Sequence, residues 1–467
     1  MNYNGNKAEN LKIAYIGGGS RGWAWMLMSD LALEKSMSGK VYLYDINYEA
    51  AKDNEIIGNR IKDIPGDYGN FEYVAAPTLK DALTDADFVV ISILPGTFDE
   101  MESDVHTPEK YGIYQSVGDT SGPGGLVRAL RALPMFEEIA LAVKEYCPNA
   151  WVINYTNPMT VCVKMLYKTF PEIKAFGCCH EVFGTQKLLA RVAERKLGLK
   201  QYEIPRQDIR VNVTGINHFT WLTEARYRNI DLFPIYKEFC EEFKDSGAPR
   251  EVFDDDNWLN KHFQHNEKVK MNLFLRYGLI AAAGDRHLAE FCPSKWFLAN
   301  PDVVDSWGFG LTPVSMRKAE LGDRLKKSQD LASGKEAFNI APSGEEGVAQ
   351  MKAILGLGDL VTNVNIPNVG QIPNLPIGAV VETNAFFSGD SVVPMHAGAL
   401  PGDLLALIGR VVSNQETIVE AVSKRDLELA FKAFVNDPLV SIGVEDAREL
   451  FNTMVNNTAS YLSDYNF

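Results

Sequence analysis

Short apolar runs alternate with helical patterns through the first 180 residues. Residues 11–16, 41–44, 71–75, 88–93, 151–154 and 175–178 are compact apolar stretches of strand length. Between them, 20–35, 49–61, 126–146 and 159–170 carry apolar positions at helical spacing. This alternation predicts an α/β fold, with a doubly wound parallel sheet of Rossmann type and helices on both faces. After about residue 198 the texture changes. Residues 209–214 and 219–227 read as longer antiparallel strands, and 258–277, 316–328, 346–355, 403–422 and most of the last fifty residues read as helices. Residues 363–376 are rich in Asn and Pro and read as an ordered loop. The expected division is therefore a Rossmann-type domain, 1–200, followed by an α+β domain, 201–467.

Composition narrows the class. Of 467 residues, 46% are hydrophobic and 23% charged, which excludes a disordered chain and a small disulfide-stapled scaffold. The net charge of −15 repels phosphate backbones, so nucleic acid is not an expected partner. No apolar run approaches the ~18 residues of a membrane span, so no membrane is expected either. The polar start, Met1 to Lys7, and six cysteines without a small-domain framework make a cytoplasmic location the expectation.

Gly17-Gly18-Gly19-Ser20-Arg21-Gly22 fits G-x-G-x-x-G between a predicted strand and a predicted helix. Small residues there let backbone approach a pyrophosphate, and a helix N-terminus favours its charge. Asp45 closes the next strand, where an acid accepts hydrogen bonds from ribose hydroxyls and favours NAD. Asn154 and Asn157-Pro158 follow another strand. Asn-Pro is both a common turn starter and a way to present an amide at the sheet's carboxyl edge. Cys179 and His180 end the next strand, and His218 lies in Gly215-Ile216-Asn217-His218. A thiolate and an imidazole from separate segments can hold a borderline divalent metal, or can be an ordinary buried cysteine and histidine. Gly284-Asp285-Arg286-His287 follows an apolar stretch and reads as a pocket rim or a capped helix. His262 and His265 share a predicted helix and read as a solvated face.

Together the glycine loop, Asn157-Pro158, the Cys179-His180-Glu181-Val182 tetrapeptide and the Gly-Ile-Asn-His block resemble glycoside hydrolase family 4. The tetrapeptide is similar to that of the α-galacturonidase subgroup. The resemblance implies a lactate/malate dehydrogenase-like architecture, a substrate-binding and oligomerisation role for 201–467, and assembly as a homodimer or homotetramer. It implies NAD and a divalent metal, usually Mn2+. Cys179 and His218 then match the metal ligands, Asn157 a substrate-binding asparagine and His180 the proton donor. Asp285 matches the proton acceptor of one branch, and Tyr277 or Phe274 stands nearest the tyrosine of another. Arg286 is the expected partner of a uronate carboxylate, with Arg128 and Arg131 as rivals. The implied reaction oxidises C3 of the sugar, removes the acidified C2 proton over a metal-stabilised enolate, eliminates the aglycone, adds water and reduces C3 again. The alternatives are another specificity in the family (α-glucosidase, α-galactosidase or α-glucuronidase), a 2-hydroxy-acid dehydrogenase, and a non-catalytic nucleotide-binding protein.

Overall fold

The computed structural model describes residues 1–253, 265–311 and 313–465. In chain order its strands are β1 (Asn2–Asn4), β2 (Lys7–Ile16), β3 (Met37–Tyr44), β4 (Asn70–Ala76), β5 (Phe88–Ile91), β6 (Trp151–Asn154) and β7 (Lys174–Gly177). Then come β8 (Ile209–Ile216), β9 (Phe219–Tyr227), β10 (Ile230–Asp231), β11 (Ile280–Ala281), β12 (Leu360–Pro367), β13 (Val380–Ser388) and β14 (Ser391–Pro394). Six parallel strands lie in the order β7-β6-β5-β2-β3-β4. Strand order reverses beside β2, and ligands of such sheets bind outside the carboxyl ends of the strands at that switch point.

The apolar runs predicted these strands because both faces are covered. Along β2, Ala14 and Ile16 enter one core cluster while Ile13 and Tyr15 enter the other. In β5, Val89 and Ile91 alternate with Phe88 and Val90 in the same way. Successive strand residues point to opposite faces, so a doubly covered strand is apolar throughout. The first face packs on the helices Gly122–Tyr146, Met159–Thr169 and Gly402–Lys424.

Two expectations change. Residues 363–376 were expected to be a loop, but β12 runs to Pro367 and pairs antiparallel with β13 and β7. Its Asn363 and Asn365 are 4% and 0% exposed, so polar side chains here face a buried site and not solvent. With β14, these strands extend the first half's sheet, although they lie far beyond residue 200. The helix expected over 258–277 is observed as Lys268–Tyr277. Its earlier part, including His262, lies outside the described residues, and His265 forms an isolated bridge with Phe309. Among the described residues, no helix is long and apolar enough to cross a membrane.

Candidate active site

The chemistry-bearing segments converge at the carboxyl edge of the parallel sheet. Gly17 leaves β2 with φ +94°, and a Cβ on it would meet the Ser92 carbonyl oxygen at 2.0 Å. Only glycine fits that approach. Gly19 N–H donates to Asp45 Oδ2 at 2.9 Å, and Asn47 N–H donates to Asp45 Oδ1 at 2.9 Å. Asp45 thus braces the glycine loop. Ser20 N–H closes the loop on Gly17 O, and Gly22 caps the helix Trp23–Leu33. Arg21 carries a buried Nε with no partner among the described residues. These features fit a dinucleotide phosphate. The Asn154 side chain donates to Thr156 O and accepts from Thr156 N–H. The turn uses both ends of its side chain.

The Asn157–Pro158 peptide is cis. Asn157 Nδ2 donates to Asp119 Oδ2 at 3.3 Å, while its Oδ1 is buried without a partner among the described residues. Such an orphan acceptor suits a ligand hydroxyl. Asp119, His218 and His287 place ligand atoms within 4.8 Å of one another. The imidazoles of His218 and His287 lie 3.8 Å apart, centroid to centroid. Thr120 Oγ1 donates to Asp119 Oδ1 at 2.7 Å, so at 3.0 Å from His218 Nδ1 it is placed to accept that proton. This tautomer leaves the His218 Nε2 lone pair for a ligand. Burial, aided by His287, lowers His218 to about 3, so the ring is neutral. Burial opposes the charge of Asp119, yet its carboxyl lies below the ordinary value; beside two neutral imidazoles, Arg128 is the fixed cation that favours the carboxylate. His287 has a buried Nδ1 with no partner among the described residues. Two neutral imidazoles and a carboxylate suit a divalent transition metal.

Cys179, the other expected ligand, is buried but is not part of that trio. Burial pushes its thiol well above the ordinary value, and Glu382 and Glu181 add to the effect. A bound dication would reverse that balance.

His180 sits at the N-terminus of the helix Glu181–Leu197. Its Nδ1 lies 2.8 Å from Glu345 Oε1, and its ring stacks on Trp23 at 6.3 Å. Burial lowers His180, but the hydrogen bond and charge of Glu345 outweigh it and raise the group to about 9. Glu181 accepts Gly284 N–H at 2.6 Å. Burial opposes its charge, yet the group lies well below the usual carboxylate range, next to His180, the imidazole here that holds its proton, and accepting from the Gly284 N–H.

The two expected bases do not join this group. Asp285 accepts the N–H groups of Val269 and Lys270 at the start of the helix Lys268–Tyr277. Its carboxylate clusters with His265 and Glu267, and burial with the Glu267 charge raises it to about 6. Tyr277 ends the same helix, roughly 12 Å of rise away, and its ring packs edge-on against Trp221 at 5.8 Å. Arg286 donates to Gly310 O and Ser116 O, stitching its helix to the loop that carries Asp119. Glu290 completes that stitch by accepting Val117 and Gly118 N–H. Arg131 pairs with buried Asp104 and donates to Pro95 O. Arg128 donates its Nε to Asn157 O.

Asp119, Glu181, His287 and Glu345 were not assigned roles from sequence. Gly118-Asp119-Thr120-Ser121-Gly122 carries turn chemistry before a long helix, which was the available signal for Asp119.

The sequence profile of family 4 glycosyl hydrolases matches residues 12–195, and that of their C-terminal domain matches residues 213–440. The chain belongs to glycoside hydrolase family 4. This family 4 chain is 59% identical over 465 residues to an α-galacturonidase of Thermoanaerobacterium saccharolyticum, covering 100% of this chain and 99% of that one. It is similar to the crystal structure of lplD from Bacillus subtilis, with a TM-score of 0.89 and 52% identity over 96% of this chain and all of the other. A 6-phospho-α-glucosidase from gut microorganisms, crystallised with NAD and Mn2+, shares the fold at a TM-score of 0.77 and 21% identity, covering 97% and 99% of the two chains.

Proposed function

We propose that this family 4 enzyme is an α-galacturonidase that uses NAD and a divalent metal, most simply Mn2+. The observation that carries the reading is the meeting of the glycine loop, the Asp119–His218–His287 trio and the orphan Asn157 Oδ1 at one sheet edge. The 59% identical α-galacturonidase supports the substrate. The 6-phospho-α-glucosidase with NAD and Mn2+ supports the cofactors. When bound, NAD supplies reversible oxidation of a sugar carbinol and the metal supplies Lewis acidity at the neighbouring oxygens.

The chain's own residues then have definite work. The glycine loop admits the pyrophosphate, with Arg21 beside it, and Asp45 accepts from the ribose. His218 holds the metal, with Cys179 as the expected partner ligand and Asp119 and His287 as those the geometry adds. Asn157 Oδ1 accepts a sugar hydroxyl. His180 gives a proton to the departing glycosidic oxygen, with Glu345 fixing its ring. Residue 200 remains our proposed boundary between cofactor and substrate domains. All six cysteines are unpaired, in keeping with a reducing, cytoplasmic setting, and we take the active form to be a homodimer or homotetramer.

The direct test is a panel of aryl α-glycosides with NAD, Mn2+ and a thiol reductant. Galacturonide should be cleaved best, ahead of glucuronide, galactoside, glucoside and 6-phosphoglucoside. Preference for a neutral or phosphorylated sugar would overturn the substrate class.

Two variants probe the residues. His180 is active as the proton-bearing form, so activity should fall as pH rises through about 9. In Glu345→Gln the alkaline limb should move down toward the unperturbed value of ~6.5, and an unmoved limb removes His180 as donor. Arg286→Ala should raise KM for the galacturonide far more than for the matching galactoside, by about 2–5 kcal/mol of lost contact. Equal effects on both sugars would leave Arg286 with only its loop-stitching role, and a selective loss in Arg128→Lys would move the carboxylate there.

A further inference from the structure

A second buried polar cluster adjoins the trio. Glu382 on β13 is 1% exposed. It stands opposite Asn365 in the β12–β13 register, and Asn365 pairs in turn with Gly177 at the end of β7. Glu382 Oε1 accepts from Asn363 Nδ2 at 2.7 Å, and Oε2 accepts from Asn217 Nδ2 at 3.2 Å. Asn363 Nδ2 also reaches the Cys179 carbonyl oxygen at 3.2 Å. One carboxylate thus ties together two segments some 40 residues apart in sequence.

The segments are those that deliver His218 and Cys179. Asn217 and His218 are the two-residue link between β8 and β9, and His218 has φ +64°. A non-glycine residue persists in that left-handed region only when its surroundings hold it there. Asn217 is fully buried, and Glu382 anchors its amide from the far half of the chain. An acid here is disfavoured by burial, which pushes Glu382 up to about 7 against the opposing amide donors. A buried acid of this kind persists only where its contacts serve a purpose.

We propose that Glu382 is a positioning residue for the metal centre, locking the Asn217–His218 turn and the Cys179 backbone in one arrangement. The inference rests on the metal reading given above. It concerns geometry that exists before any metal binds.

The test uses the full chain, stripped of metal by a chelator and titrated with Mn2+ by electron paramagnetic resonance. NAD affinity and Tm are followed alongside. Glu382→Ala should weaken Mn2+ binding about 10–100-fold with NAD affinity unchanged, as loss of an orienting partner does. Glu382→Gln should restore most of the Mn2+ affinity. Asn217 Oδ1 is buried with no partner among the described residues, so its amide can turn to accept from the new Nε2. Asn217→Ala, which cuts only the His218 arm, should weaken Mn2+ in the same direction and serves if Glu382→Ala does not fold. The inference is overturned if both alanine variants bind Mn2+ normally, if Mn2+, NAD and Tm fall together, or if Glu382→Gln fails to rescue. His218→Ala is the control that separates the two claims. Retained Mn2+ affinity there would defeat the metal reading itself, whereas its loss beside a normal Glu382→Ala would defeat only the role of Glu382.

Discussion

His218→Ala should abolish high-affinity Mn2+ binding and lower turnover by about 10³-fold, while leaving NAD binding and the fold in place. Lewis-acid stabilisation is worth several kcal/mol, and about 1.4 kcal/mol is a factor of ten. His218 is neutral through burial, oriented by Thr120, and in reach of Asp119 and His287. Three further variants sort the other ligands. If the trio holds the ion, Asp119→Asn and His287→Ala should each weaken Mn2+ strongly. If Cys179 also ligates, Cys179→Ser should do the same, and oxidation of the wild type should inactivate it until reductant and Mn2+ are restored. Calorimetric Mn2+ titration of the four variants checks this. Full affinity in His218→Ala would sink the assignment.

The second large effect belongs to the glycine loop. Gly17→Ala puts a Cβ 2.0 Å from a backbone oxygen at φ +94°, where neither partner can move aside as a flexible side chain would. Left-handed strain and overpacking together cost about 3 kcal/mol, enough to raise the NAD Kd about 100-fold if the loop opens to relieve them. Gly22→Ala is the contrast: among the described residues its Cβ would meet only Arg324 Nη1, at 3.9 Å, and the third position of such loops accepts alanine. NAD titration by fluorescence, with Tm alongside, separates the two. Equal affinity in both variants would contradict a pyrophosphate at Gly17.

The parallel strands were legible because a doubly buried strand is an apolar run, and the glycine loop because its context is local. β12 was not, since Asn363 and Asn365 break the apolar pattern where they face the Cys179 and Glu382 cluster. The site reversed the rule that reads strands. Asp119 and His287 were hidden for a different reason. They lie 168 residues apart (287 − 119), and only the sheet's carboxyl edge brings them to His218. Asp285 drew attention in place of His287, two positions on. Residues so spaced on a helix do not share a face, and here Asp285 meets the start of the helix Lys268–Tyr277 while His287 meets His218. The resemblance pointed to Cys179, His180 and Asn157, whereas nothing in the local sequence pattern singles out Glu345 or Glu382.

Cleavage of an aryl α-galacturonide in heavy water, with NAD present and with NAD stripped, tests the central claim most directly. Ordinary glycosidases need only two carboxylates, whereas a redox-elimination route must loosen the C2 proton. The account predicts no turnover without NAD, and galacturonate carrying deuterium at C2 when NAD is supplied. Full-rate cleavage without NAD, or product with hydrogen alone at C2, would contradict it.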